Sequence, residues 1–95
     1  MMLYRDRATL RVENQISSNL SFRHSADALF EYINGLDISS VVVDFSGVES
    51  ITRSFAHQYV MNKMQSQKEI IECDMPVEIK PMFELVERQR VAAQD

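Results

Sequence analysis

Val41-Val42-Val43-Asp44-Phe45-Ser46-Gly47-Val48 decides how the chain must fold. Three consecutive β-branched residues read as a strand buried on both faces, which is the habit of a central, parallel strand. Ser46-Gly47 breaks that strand and leaves Asp44 at its carboxyl end. Upstream, Ala26, Leu29, Ile33 and Leu36 recur every three to four residues, with Tyr32 on the flank, the spacing of an amphipathic helix. Ser25 suits its N-cap, Asp27 and Glu31 suit its early turns, and Gly35 suits a left-handed C-terminal position. Downstream, Ile51-Thr52-Arg53 reads as a loop. Ser54 is the expected cap of a second helix, whose buried face is Phe55, Ala56, Tyr59, Val60 and Met64 and whose end is Lys68-Glu69.

The flanks complete the pattern. Leu10 and Val12 alternate with polar residues across 8–13, as in a half-exposed strand near a sheet edge. Asn, Gln and Ser dominate 14–21, so a turn follows, and Leu20 and Phe22 suggest a second short strand. Ile70-Ile71-Glu72-Cys73 reads as another strand. Pro76 suits a helix start, Pro81 is tolerable only in a first turn or at a kink, and Ile79, Met82, Phe83 and Val86 define a third helical face, with fraying expected from Val91 to Asp95. The expectation is an α/β domain: about four strands in a mixed or parallel sheet, with 41–45 central, and three helices near 26–35, 55–68 and 77–90. Residues 1–95 make one domain with a core over about 8–90.

Composition narrows the function. The 95 residues are 45% hydrophobic and 25% charged, with two glycines and two prolines, as in a single globular domain without low-complexity linkers. No apolar run exceeds four residues, so no membrane span is expected. Charges interrupt Met1 to Arg7 where a secretion signal needs an apolar core, and the cytoplasm is the expected compartment. The net charge of −4 splits into +2 over residues 1–12, −5 over 13–50 and −1 over 51–95. An acidic chain without a basic stripe is a poor ligand for nucleic acid, whose affinity comes largely from phosphate neutralisation.

Catalytic chemistry finds little to work with. His24 and His57 are the two histidines and Cys73 the one cysteine, and no spacing joins them into a nucleophile–base pair. Cys73 reads as a small hydrophobe at a strand end. Scattered carboxylates make no metal-ligand set, and Gly35 and Gly47 make no phosphate-cradling loop. The expectation is therefore a protein without enzymatic activity, metal or cofactor. Hydroxyls instead concentrate at Ser46, Ser50, Thr52 and Ser54, between a strand's carboxyl end and a helix start. Helix-end amides there can hold an anion or a phosphoryl group. The same side chains can equally serve only to satisfy turn amides and cap the helix.

This stretch resembles the STAS fold of anti-sigma-factor antagonists. Val43-Asp44-Phe45-Ser46-Gly47-Val48 is similar to the first half of that signature, and Thr52-Arg53-Ser54-Phe55 occupies the place of the second half, with Ser54 at the phosphorylated serine. Cys73 to Phe83 resembles the family's last strand, turn and final helix. The likeness is closer to a STAS-like branch of unknown function, through Leu20-Ser21-Phe22-Arg23, Asp44 to Glu49 and Ser54-Phe55-Ala56, and it covers residues 8 to 90. It implies a regulatory module that docks a protein partner, either a histidine-kinase-like ATPase or an anti-sigma-like factor. Ser54 and Thr52 are then candidate phosphoacceptors. Ser46, Glu49, Ser50, Arg53, His57 and Met61 are candidate partner contacts, with Arg53 favoured as a type common in binding hot spots. The alternative is a sensor of a small ligand or nucleotide using the 46–54 loop. Oligomeric state is left open.

Overall fold

The computed structural model describes residues 7–94. Residues 1–6, the first half of the net-basic stretch 1–12, and Asp95 lie outside them. The elements run β1 (Arg7–Arg11), α1 (Val12–Gln15), β2 (Asn19–Leu20), α2 (Arg23–Gly35), β3 (Ser40–Asp44), β4 (Ser50–Ile51), α3 (Arg53–Gln65), β5 (Glu69–Cys73) and α4 (Lys80–Gln94). The class is α/β, as expected, and β3 is the middle strand of a parallel sheet ordered β1-β3-β5. The single four-stranded sheet is replaced by this three-stranded sheet and a separate parallel ladder, β2-β4. Among the described residues four helices form rather than three.

The differences have local causes. Val12 continues the alternation of Leu10 but begins the one-turn α1, where its side chain is buried just as a strand residue's would be. Alternation over so few residues does not separate the two. The short strand expected at Leu20 and Phe22 is β2, which ends at Leu20, and Phe22 stands 62% exposed as the N-cap of α2. Ser25 therefore lies inside the first turn rather than capping it. Gly35 is the last residue of α2 without positive φ. Among the described residues the left-handed ones are Gly47 at φ 84° and Asp74 at φ 53°. Met64 is exposed rather than buried, α3 stops at Gln65, and α4 begins at Lys80 after a turn, continuing through the region expected to fray.

One further correction concerns the two-faced burial of β3. Val41 and Val43 are fully buried, but Val42 is half-buried with Ser40 and Asp44. The helices cover one face of the sheet. On that side Leu10, Val41 and Val43 join Leu29, Phe30, Ile33, Phe55, Tyr59, Ile79, Phe83 and Val86 in one core. Tyr59 is its hub: its ring meets Phe30, Phe45 and Phe83 edge-on at 5.2, 5.7 and 5.3 Å and stacks on Phe55 at 6.3 Å. At the opposite end from the candidate loop, Ser66 bonds Asn34, and the Lys68 ammonium donates to the carbonyls of Leu36 and Ile38, fastening the exit of α2 to the start of β5.

Candidate docking surface

The loop between β3 and α3 is pinned at nearly every step. Asp44 Oδ1 accepts from the Ser46 amide at 2.8 Å, and that bond, with the Arg11 guanidinium nearby, holds the carboxyl below its ordinary value of 3.8. Ser46 is half-buried, and its carbonyl accepts from Arg11 Nε at 3.3 Å. Gly47 must be left-handed, and a Cβ on it would run into the Glu13 carboxylate, which pairs with Arg11 at 3.1 Å. Val48 is buried; the Glu49 amide donates to the Ser18 carbonyl at 2.7 Å while its side chain is exposed. Ser50 pairs with Asn19 along β2-β4 and donates its hydroxyl to Asn19 Oδ1 at 2.7 Å.

Thr52, not Ser54, caps α3. Its Oγ1 accepts from the Phe55 amide at 3.3 Å and donates to the Ser21 carbonyl at 2.8 Å, and its own amide donates to Leu20 at 2.9 Å. The expectation assigned the cap two residues late because serine and threonine both suit that role, and only the tie to Ser21 distinguishes them. Ser54 is left exposed in the first helical turn. Of the two phosphoacceptor candidates, the Thr52 hydroxyl is thus committed on both sides. Arg53 is exposed but reaches across to Gln89 of α4. His57 is exposed one turn further on, and Met61, half-buried, continues the stripe. The partner candidates therefore divide: Ser46 belongs to the Arg11–Glu13 side, Ser50 to the small ladder, and Arg53, His57 and Met61 to one stripe of α3.

A residue outside the candidate set completes this surface. Phe22 stacks on His24, ring centroids 5.4 Å apart, and both are exposed. The ladder that pairs Leu20 with Ile51, and the Thr52–Ser21 bond, place this aromatic pair directly beside the start of α3. Its signal in the sequence was masked by alternation with Leu20, which read as strand burial.

Two polar features lie at the end of β5. Asp44, Cys73 and Asp74 bring two carboxylates and a thiol within 4.8 Å of one another, a grouping with the donor types for a metal ion that only the β3-β5 register assembles. Burial, then the Asp44 and Asp74 carboxylates, push the Cys73 thiol above its ordinary value of 9.0, so it stays protonated at neutral pH. Next to it a cavity of about 400 Å³ opens between α3, α4 and β5, lined by Tyr59, Phe83, Lys80 and the carboxylates of Glu72, Asp74, Glu84 and Glu87.

No family model matches the chain, and no curated protein or solved structure proved similar to it. Among the described residues no helix is long and apolar enough to cross a membrane.

Proposed function

We propose that this chain is a non-enzymatic regulatory module of STAS-like type that docks a protein partner through the start of α3 and the aromatic pair next to it. The observation that supports this reading most is the exposed Phe22–His24 stack beside Thr52, Arg53 and Ser54. An aromatic residue held out in solvent on a helix start, next to an arginine, has the composition of a binding hot spot. The resemblance supplies the partner class, a histidine-kinase-like ATPase or an anti-sigma-like factor; we take the cytoplasm as the place of action. Ser54 supplies a means of control: phosphate there would gain from the helix-end amides and add about −1.5 to −2 charges to the docking surface. The acidic balance of the chain supports a protein rather than a nucleic-acid partner.

The sensor reading has weaker support. The 46–54 loop spends its Ser46, Glu49 and Thr52 amides on Asp44, Ser18 and Leu20, leaving few donors for a phosphate. The cavity beside β5 sets four carboxylates against Lys80 and would repel a nucleotide.

A photo-crosslinking residue placed at position 22, with position 32 on the exposed flank of α2 as control, tests the docking reading in extract of the native cell. One protein captured from position 22 and not from 32 is expected. Its purified form should bind at least tenfold more weakly to Phe22→Ala and to Ser54→Asp, with melting temperatures little changed. Equal capture from both positions, or a partner indifferent to Phe22→Ala, overturns it.

A further inference from the structure

Among the described residues the sheet is covered on one side only. On its other face the described residues form three rows set by the register: Arg7, Ser40 and Glu69; Thr9, Val42 and Ile71; Arg11, Asp44 and Cys73. Paired residues of a parallel sheet point to the same side, and the 2.6 Å hydrogen bond from the Ser40 hydroxyl to Glu69 shows it for the first row. Thr9 is exposed and Val42 and Ile71 are half-exposed, a short β-branched stripe across the middle of the face. The charges are sorted by edge. Arg7 and Arg11 lie on β1, whereas Glu69 and, just past the strand, Asp74 lie on β5, all four exposed.

We propose that this open face is the contact surface of a homodimer, two sheets packed face to face about a two-fold axis parallel to the strands. That axis lays β1 of one copy over β5 of the other. Arg7 then meets Glu69 of the second copy, Thr9 meets Ile71, and Val42 meets its own counterpart on the axis. Arg11 approaches the Asp44–Asp74 end. The contact is isologous, so every pair occurs twice. The other face-to-face two-fold, perpendicular to the strands, would lay β1 on β1, with Arg7 against Arg11 and Glu69 against the Asp74 end. Like charges would meet on the β5 edge, while on the β1 edge Arg7 would face an Arg11 already paired with Glu13 at 3.1 Å. The edge-sorted charges therefore select the axis parallel to the strands; both axes keep the strand lines nearly aligned, as in stacked sheets generally. Three strands of five residues offer a face of about 14 by 17 Å, well below the roughly 800 Å² per partner of a standard interface, so the dimer is a weak one. This surface does not involve Phe22 or Ser54 and stands independently of the docking reading.

Sedimentation equilibrium of the full chain across about 10 μM to 1 mM tests it. The expected result is a mass that rises from the 11.0 kDa monomer toward twice that value with concentration, weakened by added salt. Arg7→Glu and Glu69→Arg should each weaken association at least tenfold, and the double variant Arg7→Glu/Glu69→Arg should restore it to within about threefold. Circular dichroism and melting temperature confirm that these exposed substitutions leave the fold intact. A wild-type chain that stays monomeric at 1 mM overturns the proposal, as does a double variant no better than the singles. Tighter association of Arg7→Glu alone would show the perpendicular axis instead.

Discussion

The Tyr59 hydroxyl, carried by α3, donates at 2.7 Å to the Glu72 carboxylate on β5, and the Lys63 ammonium closes on the same carboxylate at 2.9 Å. This clasp sits where the aromatic hub of the core meets solvent. Burial, reinforced by the negative charge of Glu72, pushes the Tyr59 phenol well above its ordinary value of 10.0. Removing the hydroxyl with Tyr59→Phe keeps the ring packing but loses a hydrogen bond to a charged group, an expected cost of about 1.5–3 kcal/mol in urea unfolding at neutral pH.

The same phenol makes the fold sensitive to alkali. Its folded-state value is raised, so its contribution is complete below pH 10.0 and is lost as pH rises above that toward the folded value. Wild-type stability should fall more steeply than that of Tyr59→Phe above pH 10, as followed by circular dichroism. Parallel curves for the two proteins would rule this out.

Asp44 behaves in the opposite sense. Its carboxyl is held low by the Ser46 amide, so its contribution is complete above pH 3.8 and is lost as pH falls below it. The stability difference between wild type and Asp44→Asn should shrink across that acid window. A difference unchanged on acidification would mean that the turn bond does not depend on charge.

Neighbouring residues of β3 should respond very differently to the same substitution. Val41→Asp places a carboxyl in the helix-covered core and should cost several kcal/mol, or unfold the chain. Val42→Asp lies on the open face and should cost about 1 kcal/mol or less, measured in dilute solution. Equal losses would show that both faces are buried.

Thr52→Ala should destabilise by about 0.5–2 kcal/mol through the lost cap, whereas Ser54→Ala should stay within about 0.5 kcal/mol. Chemical denaturation separates the two. The reverse order would return the cap to Ser54.

Gly47→Ala should cost about 1–3 kcal/mol, because alanine must adopt φ 84° and displace the Glu13 carboxylate from its place beside Arg11. Pairing it with Glu13→Ala, which clears the space but not the backbone, should recover only part of the loss.

What could be read from residues alone follows the length of each pattern. Val41 to Val43 marked the middle strand, and the three- and four-residue spacings of Leu29 with Ile33 and of Phe55 with Tyr59 marked helical faces. Each of these signals repeats often enough to average out local accidents. The failures fall where the pattern is short. Val12 and Phe22 each extend an alternation by one residue, and only tertiary packing decides that one turns into α1 and the other into solvent. Val42 looked as buried as its neighbours because composition cannot tell whether a second layer of helices exists to cover a sheet. At the candidate surface, the hydroxyl-rich segment was legible, but the division of labour within it was not. The carbonyl of Ser21, thirty-one positions from Thr52, decides which hydroxyl is occupied.

The parallel ladder in which residue 40 pairs with both residue 7 and residue 69 bears on how the chain reaches its structure in time. No hairpin can seed this sheet. Each pairing of β3 requires a long loop to close around a helix before any ladder bond forms, so loop-closure entropy is met before the contacts that offset it. Folding should therefore be slower than in a helical bundle of equal size. During synthesis β3 could find β1 early, yet it would wait with one edge bare until residues 69–73 left the ribosome.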